Sequence, residues 1–283
     1  MLEEAKDLFT IGRSGEGLAM WERFRRAFPD DPRTPELMLI QARQELKGGL
    51  NDAALAHYQE FIGQYPGHAA APDVYLETAA AETRLGRPEQ AWARLARYNQ
   101  LFPAHEGRPG ALLDQVELGR QLGRNLEAAE LYKTFRRDYP HSPQVPATYL
   151  DQVRLEIAGG RNLQAVETLE EGLLTTPQLD EDPQAQALLA DLYLEVGRVE
   201  DWAAVVERNL NREPNAAAGS ADRFLKYQQL AQVHQELGQA ADAERNYDAA
   251  LSNRPPDASP EALYAIAGAY KKLMRPDKYA DAL

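Results

Sequence analysis

The chain has 283 residues, with 31 Lys plus Arg against 44 Asp plus Glu, a net charge of −13, and no cysteine. That composition excludes a disulfide scaffold, a thiol enzyme and any Cys-ligated metal, and it argues against a broadly basic nucleic-acid binder, whose surface must neutralise phosphates. No run approaches the roughly 18 apolar residues of a membrane-spanning helix, and an apolar fraction of 44% is ordinary for a folded protein.

The chain repeats itself. Gly12, Gly49, Gly86, Gly123, Gly160 and Gly197 are spaced by 37 residues, and Pro29, Pro66, Pro103, Pro140, Pro177 and Pro214 follow them at 17. A second proline ladder, Pro35, Pro72, Pro109, Pro146 and Pro183, has the same period. The next pair, Gly238 and Pro255, arrives after 41 residues, which places four extra residues within Ala216 to Ser220. Periods of this size mark arrays of stacked supersecondary units.

In chain order, residues 1–33 read as a partial unit whose opening helix packs through Ala5, Leu8 and Ile11. Full units follow at 34–70, 71–107, 108–144, 145–181, 182–218 and 219–259, and 260–283 is a second partial unit. Within 71–107 the spacing predicts a helix from Pro72 to Leu85, a stop at Gly86, a second helix from Pro88 to Leu101 and a break at Pro103. The second helices, that of the sixth unit excepted, keep a small residue five after the glycine (Gly17, Ala54, Ala91, Ala128, Ala165, Ala243) and, usually, a large one four later (Trp21, Tyr58, Leu95, Tyr132, Leu169, Val206, Tyr247). Small residues let helices approach and large ones fill the groove opposite. Trp202 takes the small-residue slot, which demands that the helices part locally or that the ring be displaced, either into a neighbouring groove or outward as a binding anchor. No alternating pattern supports a sheet.

With these residues in place, the chain resembles the tetratricopeptide repeat (TPR) family, most closely in Leu122 to Pro140 and Leu237 to Pro255. The resemblance implies an all-α, right-handed solenoid of antiparallel helix pairs that acts as a non-catalytic scaffold, without cofactor or metal. The aromatic-proline turns of the first four units, such as Phe28-Pro29 and Tyr65-Pro66, resemble bacterial envelope TPR proteins, the outer-membrane assembly lipoproteins and the Tol-Pal-associated protein. A periplasmic or envelope setting is therefore expected, as is a longer parent chain. The alternative is a positioning module of a larger enzyme or secretion machine.

Chemistry-bearing residues are sparse. His68, His105 and His141 follow unit-ending prolines and read as polar turn residues, since helix-packing distances of about 10 Å between neighbouring units are too long to share one ion. By the family pattern, the first helices line a groove: Leu39, Arg43 and Lys47; Leu76, Ala80 and Arg84; Leu113, Glu117 and Gln121; Leu150, Arg154 and Ala158; then Asp191 and Glu195. The row Leu39, Leu76, Leu113 and Leu150 reads as an apolar strip for a peptide or, equally, as packing between units. The groove does not reproduce the carboxylate clamp of chaperone-binding TPRs. The acidity is uneven, −3 over residues 1–143 and −10 over 144–283, so a basic partner for the second half is expected alongside a peptide or protein in the groove. Open array ends would allow self-association; neither nucleic acid nor a direct membrane span is expected.

Overall fold

The glycines that punctuate the sequence determine how each hairpin closes. Helix α7 (Arg108–Gln121) ends where Gly123 adopts φ +70°, a left-handed conformation that costs a side-chain-bearing residue about 1 kcal/mol or more. Gly123 N–H then donates to the Arg120 carbonyl (3.2 Å), and Arg124 N–H to the Gly119 carbonyl (2.8 Å), satisfying carbonyls that the helix end would otherwise orphan. The same pair of bonds recurs at Gly49, Gly86, Gly160, Gly197 and Gly238. Met274 occupies that position in the last unit with φ 57°, the one non-glycine residue with positive φ among the described residues.

This computed structural model describes residues 2–11, 13–28, 31–212 and 220–282. Residues 29, 30 and 213–219 lie outside that set, and with them Pro29, Pro214 and all but the last of the extra residues expected at Ala216 to Ser220. The described residues form helices and connecting turns only. Helices α1 (Leu2–Thr10) and α2 (Ser14–Ala27) make the first hairpin, followed by α3 (Thr34–Lys47) with α4 (Asn51–Gln64), α5 (Ala71–Arg84) with α6 (Pro88–Leu101), and α7 with α8 (Asn125–Asp138). Each second helix also packs on the first helix of the next hairpin: α2 on α3, α4 on α5 and α6 on α7. The fold is that of a TPR solenoid.

The chain divides into two compact units, Met1–Thr148 and Tyr149–Leu283, with the division inside α9 (Val145–Ala158). The second contains α10 (Asn162–Thr175), a short α11 (Pro177–Asp180), α12 (Pro183–Glu195), α13 (Val199–Arg212), α14 (Ala221–Glu236), α15 (Ala240–Ser252), α16 (Pro260–Lys272) and α17 (Pro276–Asp281). Helix α11 is a departure from the regular unit. Where earlier units carry an aromatic before the proline, this one has Thr176, and Leu179 is buried toward Gly172 and Tyr149 instead. None of the described helices is long and apolar enough to cross a membrane.

The small residues Ala54, Ala91, Ala128, Ala165 and Ala243 are completely buried, as helix-contact positions require. Trp202 is also buried, with 5% exposure. That overturns its reading as a surface anchor: an indole removed from water on nearly every side has no face left for a partner. Between the hairpins, polar residues at a 37-residue spacing shape the turns. The Asp31 carboxylate accepts from Arg33 N–H, His68 Nδ1 from Ala70 N–H, His105 Nδ1 from Gly107 N–H and Ser142 Oγ from Gln144 N–H.

Within hairpins, buried polar pairs key one helix to the other. Glu45 accepts from Gln41 (2.9 Å) and pairs with His57 (2.7 Å), Glu82 pairs with Arg94 (2.9 Å), and Gln152 bridges Glu156 (2.7 Å) and Thr168 (3.2 Å). A buried carboxylate without such a partner would cost several kcal/mol.

Candidate groove on the first helices

In the first unit a groove lies between α3 and α5, with Tyr58 of α4 in its lining. Its walls are built by an ion pair that bridges two hairpins. Arg43 on α3 reaches Glu77 on α5, with Nη2–Oε1 at 2.6 Å and Nε–Oε2 at 3.0 Å. The Tyr58 hydroxyl on α4 donates to the same carboxylate at 2.7 Å. Burial, reinforced by the Glu77 hydrogen bond, pushes the Tyr58 phenol well above its usual range, and the Glu77 hydrogen bond raises Arg43. The Tyr58 phenol is therefore held neutral and the Arg43 guanidinium charged near neutral pH. Arg43 is spent on Glu77, so its guanidinium acts as wall rather than as free charge.

The groove has a volume of about 400 Å³ and is lined by Arg43, Leu46, Lys47, Tyr58, Glu77, Ala80 and Arg84. Leu46 and Ala80 supply its apolar surface. Lys47 and Arg84 are exposed and form no ion pair among the described residues; Arg84 Nε only touches the Ala80 carbonyl at 3.3 Å. They occupy the same position in successive units, where the following two units carry Gln121 and Ala158. Three cations thus face one carboxylate in a protein of net charge −13.

Of the expected groove residues, Arg43, Lys47, Ala80 and Arg84 come together here. Leu39 does not: it is 4% exposed and belongs to the core with Met38, Tyr58 and Phe61. Leu76 is half-buried against the core that contains Tyr75 and Tyr98, with a methyl directed at Gly107. Leu113 and Leu150 are half-buried as well. The leucine row is therefore not an open strip: one member is core and three are half-buried. Glu117 is engaged by Arg120 (2.7 Å), which holds its carboxyl low, and by Gln121 (3.0 Å). Arg154 pairs with Asp151 on its own helix. In the second unit Asp191 is exposed, and Glu195 accepts from Asn162 at 2.7 Å. Leu46 and Glu77 were missing from the sequence reading. A Glu 34 residues after an Arg, one unit less three, is the spacing that carried the signal.

Residues 2–69 match the sequence profile described as tetratricopeptide repeat. That match covers about a quarter of the chain. Among curated proteins, none matches this chain in sequence. Among solved structures, that of Naa15/Naa10 bound to HypK-THB aligns with a TM-score of 0.57 at 16% identity, over 88% of this chain and 36% of that one. This chain thus spans about a third of that relative, and the likeness is one of fold. A tetratricopeptide repeat protein from Parabacteroides merdae ATCC 43184 aligns with a TM-score of 0.42 at 18% identity, over 96% and 97% of the two chains. The MamA protein aligns with 0.43 at 15%, over 64% and 93%.

Proposed function

We propose that this protein is a non-catalytic scaffold that captures a segment of a partner protein in the α3–α5 groove. Proteins built from TPR units generally mediate protein–protein interaction. The observation that carries the reading is the groove itself: an apolar surface, a wall fixed by the Arg43–Glu77–Tyr58 cluster, and two cations that form no ion pair among the described residues. Such a surface is pre-organised, so a ligand meets little ordering cost on the protein side. The aromatic-proline turns further favour a bacterial envelope assembly as the setting.

A photo-crosslinking residue at Ala80, compared with one at exposed Ala93 on the outer face of α6, tests the proposal in the cell of origin. Adducts to a discrete partner at Ala80 and none at Ala93 are expected. Equal labelling at both positions would refute a groove-specific role. Fractionation of the same cells tests the envelope setting.

A second reading rests on the other unit. Glu167, Glu181, Asp191 and Glu200 are exposed and form no ion pair among the described residues, which favours docking of a basic partner there. Crosslinking at Asp191 separates the two.

A further inference from the structure

The groove reading leaves the chemistry of the occupant open, and the charge inventory narrows it. Of the three cations, Arg43 is neutralised by Glu77, and the Glu77 carboxylate is consumed by Arg43 and the Tyr58 hydroxyl together. What remains in the groove lining is Lys47 and Arg84, at equivalent positions of successive units, together with Leu46 and Ala80. A basic ligand would meet two like charges and no free acid. A purely apolar one would bring surface up to two cations without pairing them. A carboxylate flanked by an apolar side chain satisfies both features at once.

We propose that the occupant is an internal acidic segment of a partner protein, with an Asp or Glu side chain between Lys47 and Arg84 and an adjacent aliphatic residue on Leu46 and Ala80. This rests on the groove reading above and specifies its partner class. The recognised group is a side-chain carboxylate and not a chain terminus. The two cations sit one unit apart at the last turn of α3 and α5, and no further cation at that position extends the site into the units that carry Gln121 and Ala158.

The probes are short fluorescein-labelled peptides of alternating Glu and Leu, Gln and Leu, or Lys and Leu, all with amidated C-termini, plus the Gln/Leu peptide as a free acid. Fluorescence anisotropy on the full chain reads their affinity. The Glu/Leu peptide is expected to bind at least about tenfold more tightly than the other amidated peptides, and its affinity to fall as salt rises. Lys47→Glu and Arg84→Glu are each expected to weaken it about fivefold, the scale of one exposed ion pair. Arg97→Glu, on the exposed face of α6, leaves it unchanged. Circular dichroism confirms that each variant is folded. Equal or tighter binding of the Gln/Leu or Lys/Leu peptide overturns the proposal, as does binding only by the free acid, or affinity untouched by both reversals. Crosslinking from Ala80 is read independently. If a non-acidic peptide competes for that site, the groove function stands and the acidic specificity falls.

Discussion

Gly119 is a helix-interior glycine whose replacement shows how the packing works. Glycine in an exposed helix costs about 1 kcal/mol relative to alanine, so propensity alone predicts that Gly119→Ala stabilises α7. The surroundings predict the reverse. A Cβ at this site would lie 2.4 Å from Trp92 Cζ3, 2.9 Å from Cη2 and 3.0 Å from the Ala128 Cβ. Ordinary carbon contacts are about 3.5–4 Å, so the indole must retreat by about 1 Å. It is 8% exposed, with Arg124 lying over its ring at 5.4 Å, and has little room to do so. Overpacking of this kind costs about 1–3 kcal/mol. Against the propensity gain, a net loss of about 1 kcal/mol is expected, a fall of about 2–4 °C in the melting midpoint for a unit of this size. Urea unfolding followed by tryptophan fluorescence measures it. Trp92→Leu, which removes the clashing ring atoms, should make Gly119→Ala neutral or favourable, giving a coupling of about 1 kcal/mol or more in a double-mutant cycle. If Gly119→Ala stabilises the protein in the original background, or the cycle shows no coupling, the close approach of Trp92 to α7 is wrong.

The same structure makes other tests available. Met274→Gly relieves a left-handed conformation costing about 1–2 kcal/mol, offset by glycine's added unfolded-state entropy, so amides of α16 and α17 should gain about 0.5–1 kcal/mol of hydrogen-exchange protection. Arg94→Leu leaves the Glu82 carboxylate, 1% exposed, without its cation and should destabilise by about 3–5 kcal/mol in denaturant titration; Arg94→Leu combined with Glu82→Leu should recover most of that. The Asp31 carboxyl, held at about 2 by the hydrogen bonds from Arg33, should titrate near that value by NMR and return toward 3.8 in Arg33→Ala. A depressed carboxyl stabilises the fold above its unfolded value, so that contribution is present above pH 4 and disappears as pH falls through about 2.

The parts of the fold that sequence made legible are those tied to residue identity at one position. A left-handed turn selects glycine, a close helix contact selects alanine, and both repeat with the period, so Gly86 and Ala91 could be placed without coordinates. Helix phase was less legible. Leu39 and Arg43 are four residues apart on one helix, yet the first is core and the second surface. Glu77 escaped notice because its role depends on Arg43 and Tyr58, contributed by two other helices. Trp202 breaks the small-residue rule at its slot, but its burial was decided by surroundings that a single sequence does not display. The short helix from Pro177 had no signature beyond the loss of the aromatic that precedes proline in earlier units.

The buried pairs that key each hairpin also bear on how the array diversified. Its uniform period invites exchange of helices between units by recombination, since length and turn chemistry match. The keys do not match. A crossover that joined α7 to the partner of α5 would set Arg94 against Gly119, burying a guanidinium where the native chain supplies Glu82. One that joined α3 to that same helix would still offer Arg94 a carboxylate, Glu45. Chimeras of this protein should thus divide into viable and non-viable junctions along lines that the repeat period does not predict. The two helices of a hairpin are therefore expected to be exchanged together more readily than one at a time.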